Sequence, residues 1–294
     1  MFVFRGYEML KLGFIGAGTV GTALAAKLHA GGYAIAAVAD CSRASSERFT
    51  GYIGSDSSII CTSQEVADRA ELVFVTTPDD IIAVVTREVI WHTGQSVVHC
   101  SGAYSVDILE PAKQKGARVG SIHPMQTFAS IDYARDNLPG SSFALEAEEP
   151  LLSVLKEMVT VLEGYWIKLK PGDKVLYHAA ATISCNYLVT LVKLATDLWE
   201  QCGVSRPEAV RALLPLLRGT VGNIANIGLP GCLTGPIARG DVGTIRKHLD
   251  ALAEAAPSLL PIYKQLGQET VPVALEKGKL DKDKAEEINR ILKC

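Results

Sequence analysis

The sequence predicts an α/β protein in two parts: a doubly wound parallel-sheet domain over residues 1–170, then an all-α domain over residues 171–294. Three observations carry this reading. A glycine-rich turn, Gly16-Ala-Gly18-Thr-Val-Gly21, lies between an apolar run and a segment with helical spacing. Strand-like and helix-like stretches then alternate as far as Leu169, which implies parallel strands joined by right-handed crossovers. After Asp173 the strand pattern stops and helical periodicity takes over.

Composition bounds the possibilities. The chain has 294 residues, 48% hydrophobic and 21% charged, enough for two domains with sizeable cores. Its 29 basic and 32 acidic residues give a net charge of −3, which argues against nucleic acid or an anionic membrane as the main partner. Seven scattered cysteines, with no C-x-x-C pair and no metal-like His/Cys cluster, suit free thiols in a cytoplasmic chain without a bound metal. No uninterrupted apolar run reaches the roughly 18 residues of a membrane span. The first eight residues lack the order of a signal peptide, and Met9 is an alternative start.

The first strand, Lys11 to Ile15, runs into the glycine turn. In a dinucleotide-binding loop Gly16 makes the tight turn, Gly18 admits the pyrophosphate and Gly21 lets the first helix pack closely. The N–H groups of Thr19, Val20 and Gly21 at the start of that helix, with its dipole, suit phosphates. The second strand, Tyr33 to Ala39, ends at Asp40, nineteen residues after Gly21. An acidic residue there suits the ribose hydroxyls of NAD, whereas Ser42 and Arg43 suit the 2′-phosphate of NADP. Both cofactors stay open, and Arg43 also reads as a solvated charge on the next helix.

A third strand is expected around Ile59-Ile60-Cys61, and a fourth over Leu72 to Thr77. The fourth is an unbroken apolar run ending in small polar residues, so Thr76, Thr77 and Pro78 are expected against the cofactor; capping of the next helix is the plainer role. A fifth strand, Gln95 to Cys100, ends at Ser101-Gly102-Ala103. A helix from Val106 to Lys115 leads to a sixth strand, Ala117 to Ile122, ending at His123. Ser101 and His123 therefore fall on the edge of the sheet where the other strands end. Phe143 to Glu146 reads as a strand, Glu148 to Leu162 as a helix and Tyr165 to Leu169 as a closing strand.

The second part reads as helices over Lys174–Gln201, Arg206 to about Ile227, Val242–Ala255, Ala256–Leu275 and a short charged stretch ending at Lys293. In the first of these, Lys174, His178, Thr182 and Asn186 recur every four residues and share one slowly drifting stripe. Polar groups in line on a mostly apolar helix need partners. Either they form a polar seam between helices, or they face a cleft and supply an acid/base and an orienting amide. Leu233-Thr-Gly-Pro-Ile-Ala-Arg-Gly-Asp241 is a glycine- and proline-rich loop whose Arg239 suits a substrate carboxylate or a structural brace.

Together Gly16-x-Gly18-x-x-Gly21, Thr77-Pro-Asp-Asp80, His99-x-Ser101-Gly-Ala103, Ser121-Ile-His-Pro-Met-Gln-Thr-Phe128, the His178…Asn186 helix and the Arg239 loop resemble one group. It comprises oxidoreductases with a Rossmann-like domain followed by the domain of unknown function 2520. The likeness spans about residues 11–275. More distantly the chain is similar to the 6-phosphogluconate dehydrogenase-like superfamily, which includes ketopantoate reductase. That family has a catalytic Lys and, four residues on, an Asn; Lys174 matches the first, and His178 departs from the second.

The resemblance implies an NAD(P)-dependent reductase passing a hydride to a small carboxylate-bearing carbonyl or imine, with a 2-oxo acid of ketopantoate type as the leading candidate. Lys174 or His178 would be the acid. Ser101, His123 and Asn186 would orient the substrate in a cleft between the domains, and Arg239 would clamp its carboxylate. A homodimer built on the helical domain is also implied. A dinucleotide-binding sensor without turnover is the alternative.

Overall fold

The computed structural model describes residues 10–170 and 172–293. Met9 as an alternative start, the extension before it, Pro171 and Cys294 lie outside the described residues. The chain forms two compact units, residues 1–185 and 186–294.

The first unit begins β1 (Lys11–Ile15), α1 (Thr19–Ala30), β2 (Ala34–Ala39), α2 (Arg43–Ile53), α3 (Ser63–Arg69), β3 (Leu72–Val75) and α4 (Asp79–Glu88). It continues with β4 (Ser96–His99), α5 (Glu110–Gln114), β5 (Arg118–Met125), α6 (Ile131–Asn137) and β6 (Ser142–Ala147). It ends with α7 (Leu151–Val161), β7 (Tyr165–Lys168) and α8 (Lys174–Ser184). Seven strands form one sheet in the order β2-β1-β3-β4-β5-β6-β7. The first five are parallel; β6 runs antiparallel to β5, and β7 parallel to β6.

Alternation along the strands builds two cores. Leu12, Phe14, Leu72 and Phe74 pack against α1, α2, α6 and α7 on one face. Ile15, Val73, Val75 and Val97 pack against α3, α4 and α5 on the other. That is the doubly wound architecture expected of buried parallel strands.

Four expectations are corrected. Ile59 to Cys61 is not a strand: Ser57–Ile59 is a 3-10 turn, and only Ile60 bridges to Val38. Asp56 caps that turn and Thr62 caps α3, so too little chain is left between them to make a ladder. The helix expected from Val106 to Lys115 is a 3-10 turn followed by the short α5, whose first turn contains Pro111. The strand at Ala117–Ile122 starts one residue later and runs on to Met125, because β6 pairs with it past the end of β4.

The fourth concerns the helix expected over Lys174–Gln201. It breaks at Cys185, after Ser184 bonds back to the carbonyls of Ala180 and Ala181. Such back-bonding competes with the helical ladder and bends helices. The same 28 residues are nevertheless long and apolar enough, by length and composition, to cross a membrane, which scanning for uninterrupted apolar runs misses. The last strand ends at Lys168, close to the predicted boundary at residue 170, but α8 belongs to the first unit.

The second unit contains α9 (Asn186–Gln201), α10 (Arg206–Ile227), α11 (Pro236–Arg239), α12 (Val242–Ala255), α13 (Leu260–Glu276) and α14 (Lys282–Lys293). Its core joins Ile245, Val271, Ala274, Ile288 and Leu292 from α12, α13 and α14. Ser205 and Glu208 form a capping box at the start of α10.

Candidate active site

The parallel strands deliver Gly16, Asp40, Thr76 and Ser101 to one edge of the sheet, where strand ends in such folds meet ligands. Gly16 has φ +108°, and a Cβ there would stand 2.6 Å from the Thr76 carbonyl carbon. Gly21 is held as closely, against Thr76 Oγ1 and the Gly16 carbonyl, and Thr76 Oγ1 donates to that carbonyl at 2.6 Å. A Cβ on Gly18, by contrast, would meet nothing within 4 Å. Gly18 precedes α1 without a side-chain cap, and Thr19 and Val20 form the first helical turn. The loop is therefore closed on its sheet side and open on its outer side, the shape needed for a pyrophosphate at a helix N-terminus. The buried Thr77 Oγ1, with no hydrogen-bond partner among the described residues, adds an unused polar group at the same edge. These residues fit a dinucleotide.

Asp40 does not stand free for a ribose. Its Oδ2 accepts from the Ala17 N–H at 2.7 Å and its Oδ1 from the Ser42 N–H at 2.8 Å. The carboxylate ties the glycine loop to the turn after β2. Ser42 caps α2 by accepting from the Ser45 N–H. Arg43 is exposed and, among the described residues, paired only with Glu47, at 2.8 Å. Pro78 is exposed and serves as the N-cap position of α4.

Along the same sheet edge lies a cluster of basic groups. Lys174, at the start of α8, is 1% exposed, and its Nζ donates to the Ser101 carbonyl at 2.5 Å. Burial pushes its pKa down to about 8, against the pull of Glu146, Cys100 and Asp79. His123 reaches beyond the end of β4, and its Nδ1 lies 2.8 Å from the Tyr177 hydroxyl. Burial, with the charges of Lys174 and His178, brings the His123 pKa down to about 4. The rings of His123 and His178 are 6.1 Å apart, edge to face. Both converge on Gly102: a Cβ there would lie 2.6 Å from His178 Cδ2 and 2.8 Å from His123 Nε2. Only glycine allows that approach.

The structure thus brings Lys174, His178, His123 and Ser101 together, and gives Ser101 a different part. Its hydroxyl donates to Asp79 at 2.9 Å and accepts from the N–H groups of Ala103 and Tyr104, so it shapes the turn. Thr182 donates to the His178 carbonyl within its own helix. Asn186, at the start of α9, and Arg239, at the end of α11, are exposed residues of the second unit. The break at Cys185 takes Asn186 off the continuous stripe expected from spacing.

Tyr177, Asp79, His99 and Glu146 belong to this neighbourhood; Asp79 and His99 stand in motifs quoted from the sequence without a role of their own, and Tyr177 and Glu146 were not singled out. Glu146 is the one with a readable signal: a carboxylate in an otherwise apolar strand. It is buried, and its oxygens hold Ser105 Oγ and the Val106 N–H.

Comparison with known proteins agrees with this architecture. A Rossmann-like domain model matches residues 6–124, and the domain of unknown function DUF2520 matches residues 141–270. No curated protein matches the chain. Protein TM1727 from Thermotoga maritima is 25% identical, with a TM-score of 0.74 over 90% of this chain and 99% of its own. A Bacteroides fragilis protein, provisionally assigned as an NADP oxidoreductase, is 22% identical, with a TM-score of 0.72 over 90% and 98%. Reductive aminase from Aspergillus terreus, in complex with NADPH and ethyl-5-oxohexanoate, is 16% identical, with a TM-score of 0.60 over 97% and 93%. The chain thus combines a stretch that matches the Rossmann-like domain with one that matches DUF2520.

Proposed function

We propose that this protein is an NAD(P)-dependent oxidoreductase that reduces a small carboxylate-bearing carbonyl or imine. The observation that carries the reading is Lys174. An ammonium group enclosed at the sheet edge that bears the glycine loop, with one main-chain acceptor and two histidines beside it, is poised as a general acid. The cofactor supplies the hydride when bound. Lys174 supplies the proton for the oxygen or nitrogen that receives it, and its pKa of about 8 keeps it protonated near neutrality while easing transfer. His123 and His178 flank it and orient the acceptor. Enclosed cationic and imidazole groups suit an anionic substrate, and a 2-oxo acid of ketopantoate type is the leading candidate. Of the similar proteins, the reductive aminase is found in complex with NADPH and ethyl-5-oxohexanoate, and also with cyclohexanone and allyl amine, which supports carbonyl or imine chemistry. The test is consumption of reduced cofactor with a panel of 2-oxo acids and cyclic imines. No consumption with any of them, despite tight cofactor binding, overturns the reductase reading in favour of a sensor.

NADP is the better cofactor for the loop after β2. Asp40 already holds two main-chain N–H groups, whereas Arg43 has only an exposed glutamate to leave for a 2′-phosphate. Arg43→Ala is expected to weaken NADPH binding about tenfold and leave NADH unchanged, and Asp40→Asn to weaken both, read by fluorescence titration. Equal loss of both cofactors in Arg43→Ala refutes the assignment.

The working form is a homodimer in the cytoplasm, without membrane or nucleic acid. The 22 residues of α10 bury only Ala209 and the 16 of α9 only Thr196, while Leu216, Val221, Ile227, Tyr187 and Val189 are exposed. Helices this apolar are covered in a stable protein. Sedimentation should give twice the chain mass at micromolar concentration, and Leu216→Glu should shift it towards monomer; a monomeric wild type rules the dimer out.

A further inference from the structure

His99 ends β4, fully enclosed, and the chemistry derived above does not use it. Its Nδ1 accepts from the Ser101 N–H at 3.1 Å, so in the neutral ring the proton sits on Nε2. Burial first, then the charge of Lys174, brings the ring's pKa down to about 3; the Ser105 backbone opposes this and His123 adds to it. Nε2 meets no partner in full hydrogen-bond geometry among the described residues, the Ser105 backbone acting on the ring only as a favourable contact, and the hydroxyl of Ser121, its register partner on β5, meets none either. An apolar side chain would fill the position without leaving a polar group unmatched. The nitrogen that is matched faces the turn that carries Lys174, whose Nζ donates to the Ser101 carbonyl.

We propose that His99 is a positioning residue for Lys174. Through the Ser101 amide it sets the 101–103 turn, and the carbonyl of that turn sets where the ammonium group points. The proposal rests on the reading of Lys174 as the acid. The ionisable groups felt by Lys174 are Cys100, which follows β4, Asp79 on α4 and Glu146 on β6; His99 on β4 and His123 on β5 feel it in turn. The Ser101 carbonyl is the acceptor that holds its proton-bearing nitrogen, so displacing the turn makes the charged form harder to keep.

Three variants separate the two ring nitrogens. His99→Asn places an oxygen near the position of Nδ1, His99→Gln places its amide towards Nε2, and His99→Leu supplies neither. With NADPH affinity as the check on folding, the Asn variant should keep kcat within about threefold, while Gln and Leu lose about tenfold in kcat with KM little changed. The midpoint of the alkaline fall in activity should move down in Gln and Leu and stay in Asn. A second measurement needs no turnover: NMR titration of 13C-labelled lysine, with the Lys174 signal assigned from Lys174→Met. Lys174 should titrate lower in Gln and Leu than in wild type and Asn. If Lys174→Met turns over normally, the acid reading fails while this titration still tests His99. Lys174 titrating at one pH in all the proteins, or Asn behaving as Leu while binding NADPH normally, overturns the proposal.

Discussion

Lys174→Met is expected to lower turnover by about 10²- to 10⁴-fold while leaving NADPH affinity nearly unchanged, the range lost with a general acid. In barrier terms that is about 3–5 kcal/mol. Methionine keeps the length of the stem and removes the transferable proton. The fold should tolerate it, because the change removes a buried charge that burial already disfavours, at the expense of one acceptor, the Ser101 carbonyl. The sign with pH follows from the role. An acid works in its protonated form, so wild-type reduction should be full below the Lys174 pKa of about 8 and fall as pH rises through it. The residual rate of the Met variant should show no such fall. Steady-state kinetics across that range are the check, and a Met variant within about threefold of wild type would remove Lys174 from the chemistry.

The second large effect is acid destabilisation carried by His99. Its pKa is about 3 in the folded chain and near 6.5 when unfolded. Between these values the unfolded chain binds a proton that the folded chain refuses, so stability falls as pH drops below 6.5. At pH 4 the loss from this one residue is about 3 kcal/mol, at about 1.4 kcal/mol for each pH unit. His123, with a pKa near 4, acts in the same direction. His99→Asn removes the term, so its stability should depend less on pH between 6.5 and 4 by about that amount. Denaturant unfolding read from Trp91, buried in the first unit, makes the measurement once Trp166 and Trp199 are replaced by Phe. Parallel pH profiles for wild type and variant would refute the account.

What could be read from residues alone differs element by element. Gly16, Gly18 and Gly21 announced the loop because each position has a local requirement, a positive φ or a close approach, that only glycine meets. The buried strands around Phe14 and Phe74 were legible from unbroken apolar runs. Ile59 to Cys61 misled because three apolar residues look alike in a strand and in a capped turn. The break at Cys185 was hidden because the hydroxyl of Ser184 acts on backbone within its own helix, and periodicity carries no trace of that.

The candidate site divides in the same way. Spacing placed Lys174 and His178 on one stripe, and strand ends placed Ser101 and His123 on one edge. It took the fold to put Lys174 Nζ on the Ser101 carbonyl, to let two imidazoles converge on Gly102, and to turn Asp40 inward onto Ala17. The sequence by itself determined the doubly wound domain, the glycine cradle and the types of group at the sheet edge, since these follow from periodicity and local backbone geometry. Tertiary structure alone decided which groups are enclosed and what they touch. Those contacts join residues as far apart as Ser101 and Lys174, and burial, which sets a proton affinity, is a property of everything packed around a group.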